Sequence, residues 1–425
     1  MKSREISSRS ERIMRRPGKL SLITTTILFL SAAGLWLTGS AGAAEADGFL
    51  YGTVLTEGGR RYTGVLRWGG EEAFWDDLFN GTKSKLPYID RLPEDKRKQR
   101  EIKVFGLRIS YDWDEEATGR QFEARFGDIQ EIRPMSGENV DVKMKSGTVY
   151  RLDDGSNDIG ATIGVQDPDV GDVEIEWKRI ERIEFAGAPA SLKPEAHRLY
   201  GEVTTENGVF RGFVQWDSQE CLSTDKLDGD SEDGKLSLEM GRIKSIEKKS
   251  RSSSTIELKD GRKFDLRGTN DVDSSIRGIL VEDERFGRVK ISWDSFDRVD
   301  FRTGQGSGRP YAAYKPGVAL RGTVTDREGK LWKGHLIFDL DESESWEMLN
   351  GEHDGVEYDL PMEMVRSIAP RDQDTSTIVL RERRELRLED SQDVTEANAG
   401  VLVIPTGGGS ERYIPWDEVR QVEFQ

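Results

Sequence analysis

The chain has one cysteine, Cys221, in 425 residues, so no disulfide can form within it. A lone thiol of this kind is expected to serve as a small buried hydrophobe. Histidine is almost as scarce, with three: His197, His335 and His353. That leaves little raw material for a Ser-His-Asp or Cys-His arrangement. There is no H-E-x-x-H, no paired C-x-x-C and no spaced histidine cluster, so neither a metal nor a cofactor is expected. Basic charge is outweighed as well, 62 Lys and Arg against 79 Asp and Glu, for a net charge of −17. A chain this acidic is repelled by nucleic acid and by anionic lipid surfaces. Nucleic acid is therefore not expected as a partner.

The first stretch stands apart from the rest. "MKSREISSRSERIMRRPGK" carries seven basic and two acidic residues, and "LSLITTTILFLSAAGLWL" and the small-residue run "TGSAGAA" follow it. A basic start, an apolar middle and an A-x-A site are the layout of a secretory signal peptide, here residues 1–44 with cleavage after Ala43 or Ala44. The alternative is an uncleaved N-terminal anchor, since the eighteen residues 20–37 nearly suffice to cross a bilayer. The protein is accordingly expected outside the cytoplasm, periplasmic or secreted, with membrane contact only if that segment is retained.

The remainder repeats itself. "YGTVLTEGGRRYTGVLRW", "YGEVTTENGVFRGFVQWD" and "RGTVTDREGKLWKGHLIFD" each read G-x-V, then a turn, then a Gly followed by alternating apolar residues up to Trp68, Trp216 or Phe338. Alternation flanked by turn residues is a β-hairpin signal. "VKMKSGTVYRL", "IELKDGRKFDL" and "IVLRERRELRL" form a second set, the third without its turn glycine. "VEIEWKRIERIEF", "VKISWDSFDRVDF" and "RYIPWDEVRQVEF" close the units. In the closing segment three alternating residues end in Trp, and the next apolar residue falls three positions on. One turn of 3₁₀ helix would return it to the same face. Trp177, Trp293 and Trp416 are thus expected in the core.

The turn-Gly hairpin "TIELKDGRKFDL" followed by the turn-strand "WDSFDRV" resembles Sm-like and SH3-like small barrels. The resemblance implies that each unit is two small barrel-like half-modules. The expected fold class is all-β, with three tandem copies of a roughly 100-residue unit behind the signal peptide. The copies are residues 45–187, 198–303 and 317–425. Pro/Gly/Ala-rich linkers lie between them at 186–197 and 302–317.

The first copy holds an insert of 34 residues, near 82–115. Inserts in repeated scaffolds often form the binding surface. This one brings the basic residues Lys96, Arg97, Lys98 and Arg100 near Trp75, Phe79 and Tyr88, a candidate docking site for an acidic or aromatic-binding partner. The competing reading is a solvated basic turn followed by an extra strand pair in "EIKVFGLRISYDW".

Carboxylates recur in register. Asp158, Asp271 and Asp393 occupy one column and are expected to cap turns by accepting backbone N–H bonds. "DKLDGDSEDGK" at 225–235 reads as a disordered acidic loop or a weak calcium site. The function expected from these features is a non-catalytic interaction or structural module of the cell envelope or exterior, its partner a protein or envelope polymer. The alternatives are a carbohydrate-active or other carboxylate-based hydrolase, and a calcium-stabilised surface protein.

Overall fold

A computed structural model describes residues 46–83, 87–91, 100–104, 107–111, 120–135, 139–153, 156–302 and 304–425, with backbone alone for 100–104 and 107–111. The N-terminal segment 1–44 and the basic residues Lys96, Arg97 and Lys98 lie outside the described residues. The fold is all-β: thirty strands form two large antiparallel sheets of ten and twenty, and Arg100–Val104 pairs with Leu107–Tyr111 as a separate hairpin. Among the described residues the helical turns are all short 3₁₀ segments, and no helix is long and apolar enough to cross a membrane.

The first hairpin shows how the pattern becomes structure. Tyr51–Thr56 pairs with Arg61–Trp68, Gly52 opposite Gly64 and Val54 opposite Tyr62. Val54, Leu66 and Trp68 point into the core, almost wholly enclosed. The hairpins Tyr200–Thr205 with Gly208–Gln215, and Arg321–Asp326 with Leu331–Phe338, set Gly201 opposite Gly212 and Gly322 opposite Gly334. These glycines mark close approach. A Cβ on Gly64, Gly212 or Gly334 would lie 1.9, 1.8 or 2.2 Å from the carbonyl oxygen of Gln166, Glu282 or Ile404. The neighbouring strand passes too near for any side chain there.

Read from one edge, the ten-stranded sheet runs Arg120–Arg125, Leu78–Lys83, Val149–Asp153, Val140–Met144, Ile129–Pro134, Ile180–Phe185, Tyr51–Thr56, Arg61–Trp68, Ile163–Asp167 and Gly171–Ile175. The strands of 200–302 follow the same pairing order, from Gly234–Glu239 to Gly287–Ile291. Those of 321–424 follow it again, from Val356–Pro361 to Arg412–Ile414. Antiparallel pairing of Gly287–Ile291 with Val356–Pro361, Arg288 opposite Asp359, fuses these two tens into the sheet of twenty.

The closing segments turn where the spacing requires. Trp177–Arg179 and Trp416–Glu418 are 3₁₀ turns that lead into Ile180–Phe185 and Val419–Phe424. Between Gly287–Ile291 and Phe296–Arg302 the Phe296 N–H donates to the Ser292 carbonyl across a turn, 3.0 Å. Trp293 and Trp416 are buried; Trp177 is half-buried and meets Trp68 edge to face, centroids 5.8 Å apart.

Three expected loops are ordered structure. The acidic run 225–235 is the hairpin Lys226–Ser231 with Gly234–Glu239, because Leu227 faces the core and Gly229 packs on Leu266. The stretch 302–317, expected as a linker, buries Ser307 and Tyr314. Its Tyr311 stacks on Trp75 at 4.4 Å, and Lys145 donates to the Tyr311 and Tyr314 carbonyls at 2.7 and 3.0 Å. The start of the insert also folds inward: Ile89 is buried with Ile337, Leu340, Ala399 and Leu402. Tyr88 donates to Ser343 Oγ at 2.9 Å, and Arg91 pairs with Glu411 at 3.0 Å.

Candidate functional site

The two sheets meet around a buried set of charges. Arg288, at the strand that fuses the sheet of twenty, bonds Glu282 beside it and reaches across to Asp77 Oδ1 at 3.1 Å and the Asp76 carbonyl at 3.2 Å. Arg198 pairs with Asp76 at 2.8 Å and lies between the rings of Phe74 and Phe213, 4.1 Å from each centroid. Arg125 bonds Asp128 at 2.8 Å and Glu363 at 3.0 Å. Further round, buried Lys83 donates to Asp341 at 2.6 Å and Glu347 at 3.2 Å. Arg198 and Lys83 find their carboxylates across the segment boundary, while Arg288 and Arg125 each join a local carboxylate to one across it. Charges removed from water this way cost more than they return unless each is fully paired. A misplaced segment would leave these buried charges unpaired.

Beside this set opens a cleft of about 1020 Å³. Asp76 and Arg125 line it from the first sheet, Arg211, Phe213, Glu282 and Arg285 from the second, and Arg309 and Tyr314 from the stretch 302–317. Arg309 stacks on Tyr314 at 4.6 Å and pairs with no carboxylate among the described residues. The Tyr314 ring is enclosed, and its Oη has no hydrogen-bond partner. Burial pushes the Glu282 carboxyl up to about 7 against the pull of Arg288. Burial, followed by the charge of Glu123, pushes Asp359 up to about 7 as well. The cleft thus offers a guanidinium stacked on a phenol ring and two carboxyls that change charge near neutrality. Such a wall can grip an anionic or amphipathic ligand.

The residues singled out from the sequence fall in several places. Trp75 and Phe79 are fully buried and present no surface to a partner. Phe79, on the strand Leu78–Lys83, meets Trp68 edge to face, and Trp75 packs on Tyr311. Tyr88 is half-buried against the last segment, and Arg100 begins the strand Arg100–Val104. Asp158, Asp271 and Asp393 are buried. Their Oδ2 atoms accept the backbone N–H of Asn80, Asp228 and Asn350 at 2.7, 2.6 and 2.7 Å. They therefore tie distant strands together, and the local turn-capping expected of them falls to Asp77, Asp225 and Glu347. Asp77 Oδ2 takes the N–H groups of Ala73 and Phe74, each at 2.8 Å. Asp225 and Glu347 do the same for Cys221 and Leu222, and for Ser343 and Glu344.

Cys221 is buried beside Arg67, whose Nη1 lies 3.0 Å from the sulfur, and burial pushes the thiol up to about 12. The cleft itself carried no sequence signal, because its walls come from residues more than 200 positions apart.

Fold and site together define a class: an all-β chain of two large antiparallel sheets with a mixed-charge cleft where they meet. No family model matches the chain, and no curated protein does. Among solved structures it is similar to a streptogramin B lyase at 10% identity, over 70% of this chain and 94% of that one, with a TM-score of 0.10. A likeness of that size carries no argument about fold or activity.

Proposed function

We propose that the chain is an exported, non-catalytic binding module, three copies of one unit of paired barrel-like halves behind a signal peptide at 1–44, and that its cleft seats an anionic segment of a protein or envelope polymer. The identical pairing order in 51–185, 200–302 and 321–424 supports the three-copy reading. The observation that carries the binding reading is Arg309, exposed at the cleft, stacked on the enclosed Tyr314 and without a carboxylate partner among the described residues. The neighbouring guanidiniums of Arg125, Arg198 and Arg288 are consumed by the fold, so they position the cleft and leave Arg309 to meet the ligand, beside exposed Arg211, which pairs with Glu202 at the rim.

A carboxylate-based hydrolase is the second reading, favoured by Glu282 and Asp359 both titrating near neutrality on one cleft. The test compares capture of envelope and culture-fluid components by three proteins: the unaltered chain, Arg211→Glu/Arg309→Glu, and Lys96→Ser/Arg97→Ser/Lys98→Ser. Loss of the ligand in the cleft variant alone is expected. Loss in the insert variant alone would sink the cleft assignment and restore the insert as the docking site. Glu282→Gln is the control for hydrolysis: a captured polymer that is shortened by the unaltered chain and left intact by this variant would establish the second reading.

A further inference from the structure

Two groups of buried carboxylates lie outside the cleft, and of their members only Asp271 and Asp393 have a role so far. Asp217, Glu220 and Asp271 form one, Asp339, Glu342 and Asp393 the other, and within each group one oxygen from every residue lies within 4.8 Å of the other two. All six are buried. Calcium is held by oxygens at about 2.3–2.6 Å, so two ligands on opposite sides of one ion stand about 5 Å apart. The spacing therefore fits one coordination sphere. A second observation points the same way: Glu220 and Glu342 are each 7% exposed, and the Oε2 of each is enclosed with no hydrogen-bond partner. A buried carboxylate oxygen left unbonded is costly, and it occurs at all three equivalent places, Glu72 Oε2 of the first segment included.

Asp217 and Asp339 already have protein donors. Asp217 is bonded by Asn270 Nδ2 and by Arg277, through N at 2.5 Å, Nε at 3.2 Å and Nη2 at 3.0 Å. Asp339 takes the Ala399 N–H and Gln392 Nε2, with Arg120 Nη2 at 3.7 Å. One guanidinium thus faces three carboxylates in each group, a deficit of two positive charges. We propose that each group binds one divalent cation of the calcium type, the orphaned Glu oxygen being a ligand, so that the last two segments each carry a structural metal site. The first segment supplies its own contrast. It keeps Glu72, whose Oε2 is likewise unbonded, and Asp158, but it lacks the third carboxylate, with Gly69 where the others have Asp217 and Asp339; all three positions share a left-handed backbone, φ 57°, 52° and 49°. Glycine is the unstrained choice there; aspartate is held against backbone strain where its carboxylate completes the group.

The experiment strips the purified chain with chelator and titrates it with calcium chloride alone, by calorimetry and by thermal midpoint. Two sites per chain are expected, with dissociation constants in the range of about 0.1–1 mM typical of extracellular modules, and a midpoint that rises with calcium. Glu220→Gln and Glu342→Gln should each remove one site, and the double variant both. In chelator these variants should melt at or above the unaltered chain, since an amide relieves the crowding of charge; that result separates lost binding from misfolding. Absence of calcium binding, or equal midpoint gains in the unaltered chain and the double variant, would overturn the proposal and leave the two Glu side chains as buried, protonated acids.

Discussion

Replacing Arg288 by methionine tests the claim that paired buried charges dock the segments. Methionine keeps most of the side-chain volume, so the change is chiefly electrostatic. The Arg288 side chain is 9% exposed and its partners Glu282 and Asp77 are 15% and 2% exposed, so water cannot replace the lost guanidinium. Removing one member of a buried pair costs about 3–5 kcal/mol. Glu282 loses its cation and Asp77 keeps only Arg198, at 3.8 Å, but Glu282 can escape by taking a proton. Its carboxyl already titrates at about 7 with Arg288 beside it, and without that cation the value rises further. At pH 6 the variant's Glu282 is neutral and the penalty shrinks; at pH 8 protonation itself costs free energy, at about 1.4 kcal/mol per pH unit. Urea unfolding followed by tryptophan fluorescence should show a loss of about 3–4 kcal/mol at pH 8 and a clearly smaller one at pH 6. A loss below about 1 kcal/mol, or one equal at both pH values, would refute the reasoning. Adding Glu282→Gln should recover part of the loss at pH 8 only.

Other consequences can be measured on the same chain. Gly212→Ala would set a Cβ 1.8 Å from the Glu282 carbonyl oxygen, so strands must part; a loss of about 3 kcal/mol is expected by urea titration, against little change for Asp260→Ala on an exposed turn. Arg383 takes a left-handed backbone, φ 66°, where Gly147 and Gly261 stand in the equivalent hairpins, and Arg383→Gly should raise stability by about 1 kcal/mol in a thermal melt. Glu282 and Asp359 are raised by burial from 4.5 and 3.8 to about 7, so between those limits the folded chain binds more protons than the unfolded one. Their contribution to stability is full below about pH 4 and is lost as pH rises through 7; Glu282→Gln with Asp359→Asn should flatten that slope.

The sequence by itself determined the local pieces. Alternation into Trp68, Trp216 and Phe338 wrote the hairpins, and the three-residue step after Trp177 and Trp416 wrote the 3₁₀ turns, because both follow from backbone periods of two and three. The glycine columns were legible as a pattern, but their cause lay in carbonyl oxygens of strands some 70–100 positions away, such as Gln166 and Glu282. Trp75 and Phe79 looked like docking residues because a sequence shows proximity to a basic run and not which way a strand faces. Likewise the stretch 302–317 has a linker's composition, yet Ser307 is buried by a hydrogen bond to the Gly48 N–H, a partner 259 positions distant. Only the tertiary structure decided which segments touch, since a charge such as Arg288 has no preference among 79 acidic residues until packing removes the water around it. The cleft and both carboxylate groups arise the same way, from chain crossings that bring far-separated residues within a few ångströms, where burial sets their protonation and their choice of partner.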